Sequence, residues 1–190
     1  TFTETSDPAK HPPRLAALRK AMAAEGLEAF LIPRADAHQG EYVADADARL
    51  RWLTGFSGSA GQAIVTADRT GVFVDGRYRV QVKAEVDLAH FTPVPFPEVK
   101  PGDWLAEALP DGGRMGFDPW LHTHREIADL RKRLDPEGIA LVPVENLVDR
   151  IWTNQPDAPV GQVRLHDDAL AGETAAQKRA LIAGKLAEAG

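Results

Sequence analysis

The chain has 190 residues, no cysteine, a 44% apolar fraction and a formal net charge of −6. Disulfides, cysteine-ligated zinc and cysteine nucleophiles are excluded, and the acidic balance speaks against a nucleic-acid binder. No segment has the apolar length of a membrane span, and the lack of cysteine suits a reducing cytoplasm.

Residues 1–12 are polar and Pro-containing and are expected to be a flexible lead-in. From 13 to 25, Leu15, Leu18, Ala21 and Met22 recur on one helical face, with Pro12 and Pro13 at the start and Gly26 past the end. The apolar run EAFLIP reads as a buried strand. A long polar loop follows from Arg34 to Asp47, and loops of that length in compact domains are often functional. Gln62–Thr66 and Val72–Asp75 read as two strands of a hairpin, with Gly71 in the connection. Residues 77–86 fit helix or strand on pattern alone. Phe91–Phe96 carries Pro93 and Pro95, so it is an edge strand at best.

Asp103 is expected to cap a helix ending at Leu109, before Pro110-Asp111-Gly112-Gly113. Arg114–Phe117 is a short strand. Thr123 and Glu126 have capping-box spacing, followed by the stripe Ile127, Leu130 and Leu134. The Arg131-Lys132-Arg133 run suits a solvated helix end, where cations complement the dipole. Ile139–Val144 is another strand, and Asn146 caps a helix with Leu147, Val148, Ile151 and Trp152. The four tryptophans read as core or interdomain packing.

This order predicts an α/β domain over 13–152, with a mixed sheet of about six strands flanked by helices. A linker is expected over 153–173. Thr174 and Gln177 repeat the capping-box spacing, and residues 178–190 align with 14–26: Ile182 falls on Leu18, Leu186 on Met22 and Gly190 on Gly26. The alignment suggests that 174–190 is the first helix of a second, similar domain.

Candidate chemistry is weighed against plain structural roles. The loop Gly55 to Gly61 fails the G-x-S-x-G pattern around both Ser57 and Ser59, and it lacks the dinucleotide fingerprint and the phosphate-loop lysine. Tight packing of small residues is its simpler use, although a serine hydrolase remains a rival. His122 and His124 straddle a helix start, where side chains two apart do not converge on a metal. Asp36 and Asp47 are two carboxylates without the further ligands that a pair of divalent ions needs. His38 beside Glu41 is a candidate for ordering the polar loop.

Several ordered motifs resemble the first N-terminal domain of the aminopeptidase P (Xaa-Pro aminopeptidase) family: DAHQGEY (36–42), Asp47 to Arg51, LTGFSGSAG (53–61), VDGRY (74–78), GFDP (116–119) and ENLVDRIW (145–152). The resemblance implies the creatinase/prolidase N-terminal fold, ribonuclease H-like, with 77–86 helical. It also implies the three-domain branch, a homodimer that removes the residue before a penultimate proline. That branch uses two divalent metal ions, usually manganese, in a later catalytic domain. No catalytic or metal-ligating role then falls on this chain. Its expected roles are dimer contacts and shaping the active-site entrance, with His38, Tyr42, Arg49 and Arg77 as candidates. A stand-alone binding module of the same fold is the alternative.

Overall fold

The computed structural model describes residues 7–190, so the first six residues of the expected lead-in lie outside the described part. Two compact units are present, divided between Ala158 and Pro159.

The first unit is built on a six-stranded sheet, with β1 (Ala29–Pro33), β2 (Gln62–Thr66), β3 (Thr70–Val74), β4 (Thr92–Pro95), β5 (Gly113–Phe117) and β6 (Ile139–Pro143) in the order β4-β3-β2-β1-β5-β6. β2 is antiparallel to β1 and β3, and the remaining pairs are parallel. The β2–β3 hairpin therefore inserts one reversed strand into an otherwise parallel sheet. β4 lies at an edge, where its two prolines cost no ladder bonds on the open side.

Helices cover both faces. α1 (His11–Ala24), α2 (Arg49–Thr54), α3 (Gln81–Glu85) and α6 (Leu147–Ile151) contribute to one core, while α4 (Pro101–Ala108) and α5 (His124–Leu134) contribute to the other. β1 shows why its sequence is continuously apolar. Phe30 and Ile32 join the first core with Leu18, Leu53 and Val148, whereas Ala29 and Leu31 join the second with Met115 and Leu134. Successive side chains on a strand point to opposite faces, and here both faces are dry.

Several expectations need adjustment. The first helix starts at His11, two residues early, because His11 is buried and its Nδ1 reaches the Trp52 carbonyl at 3.1 Å. Asp103 does not cap α4. The helix begins at Pro101 with Lys100 at the N-cap, and Asp103 instead accepts from Arg133 Nε at 2.6 Å. α2 was not foreseen, since six residues are too few for a helical period to show. It ends at Gly55, whose φ of 86° is the left-handed C-cap conformation. Trp120 is no core residue: it is 75% exposed. Trp52 and Trp152 do stack, with ring centroids 5.1 Å apart, and Trp104 meets Phe73 edge-on.

The capping box at Thr123 and Glu126 is present, and Asn146 caps α6 through the Val148 amide. In the second unit, α7 (Asp168–Ala171) precedes α8 (Ala175–Ala189), which opens with the Thr174–Gln177 capping box. Ile182 and Leu186 on α8 are exposed, while their α1 counterparts Leu18 and Met22 are buried.

Phe30→Ala removes a ring that is fully buried on the middle strand. It should lower unfolding stability by about 3–5 kcal/mol in urea titrations, as large-to-small core changes do.

Candidate functional site

The strand directions place the notable loops on one edge of the sheet. The chain leaves β1 at Pro33 and β3 at Val74, and Gln62 of the reversed β2 pairs with both Pro33 and Phe73. The loop 34–48, the loop Gly55–Gly61 that feeds β2, and the turn 75–78 therefore share the carboxyl end of the parallel strands. The turn after β5 reaches the same edge. β1 and β5 are neighbours whose outgoing connections run to opposite sides of the sheet, the switch point at which open α/β sheets tend to hold ligands.

Asp36 organises the first loop. Its Oδ1 accepts from the backbone amides of His38 and Gly40, each at 2.9 Å. The Gly40 amide, opposed by burial and helped by His38, holds the Asp36 carboxyl below its usual range. Arg34 Nη1 donates to the Glu41 carbonyl, and Gln39, at φ 54°, donates from Nε2 to the Leu121 carbonyl at 3.1 Å. That last bond ties the β1 loop to the β5 turn. His38 is exposed, and Tyr42 is 89% exposed. Loop order thus comes from Asp36 and Gln39, not from the expected pairing of His38 with Glu41.

Arg49 and Arg77 each form a bidentate pair with an aspartate, in opposite settings. Arg49 is buried and donates from Nε and Nη2 to Asp149 at 2.7 and 2.9 Å, and from Nη1 to Asp47 at 2.9 Å. Burial works against its charge, but the bonds to Asp149 and Asp47 prevail and raise its pKa. Gln155 completes the clamp, donating from Nε2 to the Ala46 carbonyl at 2.8 Å and to Asp149 at 3.0 Å. Arg77 is exposed and grips only Asp75, two residues away, with its guanidinium 5.1 Å from the Tyr78 ring centre.

The small-residue loop is held by side chains that carry no pattern in the sequence. Ser57 donates from its amide and its hydroxyl to Glu85, at 2.8 and 2.6 Å, and Gln81 bridges both residues. A serine hydroxyl donating to a carboxylate and accepting from an amide has no general-base histidine behind it. Ser59 and Tyr78 share a 2.5 Å hydrogen bond. Bonding to Ser59 holds the Tyr78 phenol below its ordinary value. At Gly58 a Cβ would lie 2.2 Å from the Phe56 ring, so close packing requires the glycine.

The aspartates 36 and 47 are thus committed to backbone amides and to Arg49. Among the described residues no group of three or more histidines, aspartates and glutamates is arranged to hold a metal ion. A two-metal centre does not fit these side chains. His122 lies edge-on to Phe117, and burial lowers its pKa; its Nε2 is buried and has no hydrogen-bond partner among the described residues.

A family profile, "Creatinase/Prolidase N-terminal domain", matches residues 14–151. The chain belongs to the creatinase/prolidase N-terminal domain family. It is 35% identical over 173 residues to aminopeptidase P2 of Arabidopsis thaliana, covering 87% of this chain and 24% of that protein. It is 36% identical over 169 residues to Xaa-Pro aminopeptidase 2 of Homo sapiens, covering 86% and 25%. Among solved structures, the X-prolyl aminopeptidase of Caenorhabditis elegans, described as a cytosolic enzyme with a di-nuclear active site, superposes with a TM-score of 0.82 at 33% identity, over 93% of this chain and 31% of that one. The N-terminal domain of the peptidase PepQ of Mycobacterium tuberculosis gives 0.55 at 28%, over 73% and 98%. The chain spans about a quarter of the length of the curated relatives it matches. Within the described residues no helix is long and apolar enough to cross a membrane.

Two outcomes follow for a creatinase-type domain held in this way. Arg49→Ala should cost about 1.5–3 kcal/mol in urea unfolding, the range for hydrogen bonds to charged groups, while Arg77→Ala leaves the midpoint unchanged. Stability should also fall on acidification. Burial depresses the folded-state pKa of both His11 and His122 below the ordinary 6.5. The unfolded chain therefore takes up their protons first, so stability is full above that value and declines as pH drops through it. In urea titrations from pH 7.5 to 5, His122→Phe should flatten this decline.

Proposed function

We propose that this chain is the non-catalytic N-terminal domain of a metal-dependent Xaa-Pro aminopeptidase. The observation that carries the reading is the pattern of coverage. Enzymes of that name match nearly the whole chain, yet the chain accounts for about a quarter of each. In this reading bond cleavage belongs to another domain of the parent, which holds two divalent ions, manganese in the first instance. The parent is a cytoplasmic homodimer acting on peptides with proline in second place, and this domain contributes dimer contacts. The neighbour described as cytosolic and the absence of cysteine support the location.

The second part of the proposal concerns the active-site entrance. Tyr42 and His38 stand exposed on the β1 loop, and Arg77 stands exposed on the turn after β3, all on one sheet edge. These are the side chains proposed to meet peptide. Arg49 serves differently, because its donors are taken by Asp47 and Asp149. It positions the loop. The exposed apolar stripe of α8 supports its assignment as the opening helix of a second, similar domain, whose sheet would cover Ile182 and Leu186 as β1 and α6 cover α1.

The purified chain should not hydrolyse a proline-second tripeptide with or without manganese. Manganese-dependent, chelator-sensitive cleavage by the chain alone would end the assignment. In the parent enzyme, Tyr42→Ala and Arg77→Ala should raise KM by about 3- to 10-fold with kcat unchanged, the mark of lost uniform binding. Unaltered KM for both would remove the entrance role.

A further inference from the structure

We propose that the cleft between the start of α1 and α2 binds a small organic carboxylate through Arg14 and Arg51. This site stands apart from the peptidase assignment and does not depend on it. The cleft encloses about 520 Å³, within the range of small-ligand pockets. Lys10, His11, Arg14, Arg51, Trp52 and Trp152 line it.

Arg14 is held in place without being neutralised. Its Nη1 donates to the Trp52 carbonyl at 2.5 Å, and its guanidinium carbon lies 4.6 Å from the Trp52 ring centre. Arg51 is exposed, its carbonyl accepts from the Gly55 amide at 2.8 Å, and its guanidinium makes no hydrogen bond or ion pair among the described residues. Neither guanidinium has a carboxylate within ion-pair distance there, in contrast to Arg49, Arg77, Arg79, Arg133 and Arg150. Uncompensated burial lowers the pKa of Arg14, whereas the carboxylate-clamped Arg49 is raised. An incoming anion would relieve that burial cost as Asp149 does for Arg49. A guanidinium also offers the paired donors that match a carboxylate's two oxygens.

The charge count selects the ligand. Asp7 and Asp45 also line the cleft, and Asp7 pairs with Lys10 at 3.4 Å. Burial disfavours the charged form of His11. Three cations face two carboxylates, an excess of one positive charge, which suits a monoanion better than a dianionic phosphate. Trp152 and Pro156 supply apolar wall for the body of the ligand.

The test is a titration of the 190-residue chain with benzoate, with benzamide as neutral isostere and with inorganic phosphate, all at constant ionic strength set with chloride. Tryptophan fluorescence and calorimetry report binding. Benzoate should bind saturably in the millimolar range and benzamide should not. Arg51→Gln, at an exposed position that the fold does not use, should weaken benzoate by about tenfold, the loss expected for one charge-assisted contact. Arg14→Gln should do the same with an unchanged urea midpoint, and Arg131→Gln, outside the cleft, should have no effect. Equal responses to benzoate and benzamide, undiminished binding to Arg51→Gln, or binding of phosphate without benzoate would each overturn the proposal.

Discussion

The constraint on which the rest depends is that β1 is buried on both faces and bonded on both edges. Four of its five residues are at most 4% exposed. One edge takes the antiparallel β2, and the other takes the parallel β5. A strand in that position cannot slip by one residue without exchanging its two cores, so its register is fixed. Everything emerging from its carboxyl end is then placed by the same choice. That includes the Asp36 loop, the Gly61 carbonyl that accepts from the Arg34 amide, and the Gln39 link to the β5 turn.

A domain fixed so firmly in the middle spends its polar residues on fastening loops. Asp36, Glu85, Asp118 and Asp149 are acidic groups in a region dense with motif, and each accepts from a backbone amide or a neighbouring side chain. Asp118, for example, takes the Trp120 amide and Asn146 Nδ2. Among the side chains that stay outward are Tyr42, Trp120, Arg77 and Arg51, beside Glu41 and Asp45. Aromatic and arginine side chains are the kinds enriched in protein interfaces.

Much of the fold was legible in the sequence because local rules and tertiary packing agree. The stripe Leu15, Leu18 and Met22, the two capping boxes and the proline-bearing edge strand appear where their patterns place them, and the β2–β3 hairpin does too except that Gly71, expected in the connection, lies inside β3 paired with Ile64, so the turn is shorter than the pattern suggested. α2 was hidden because six residues do not complete two turns, and Asp103 misled because a carboxylate in a first turn resembles a cap. At the site, the loops were legible and their wiring was not. Arg49 reads as an exposed charge until Asp149 arrives from the far end of the domain. Ser57 fails the nucleophile pattern in the sequence, but nothing there shows that Glu85 takes its amide and hydroxyl. The cleft between Arg14 and Arg51 left no trace, since its two sides are 37 residues apart and share no motif.

The Arg49–Asp149 clamp joins residues 100 positions apart. On a ribosome adding about 5–20 residues per second, Arg49 waits roughly 5–20 seconds for its partner. Through that interval α1 lacks Leu147, Val148 and Trp152, its cover from α6 and the residue after it. The nascent domain therefore exposes apolar surface until nearly all of it has been synthesised, a window in which a chaperone has something to hold.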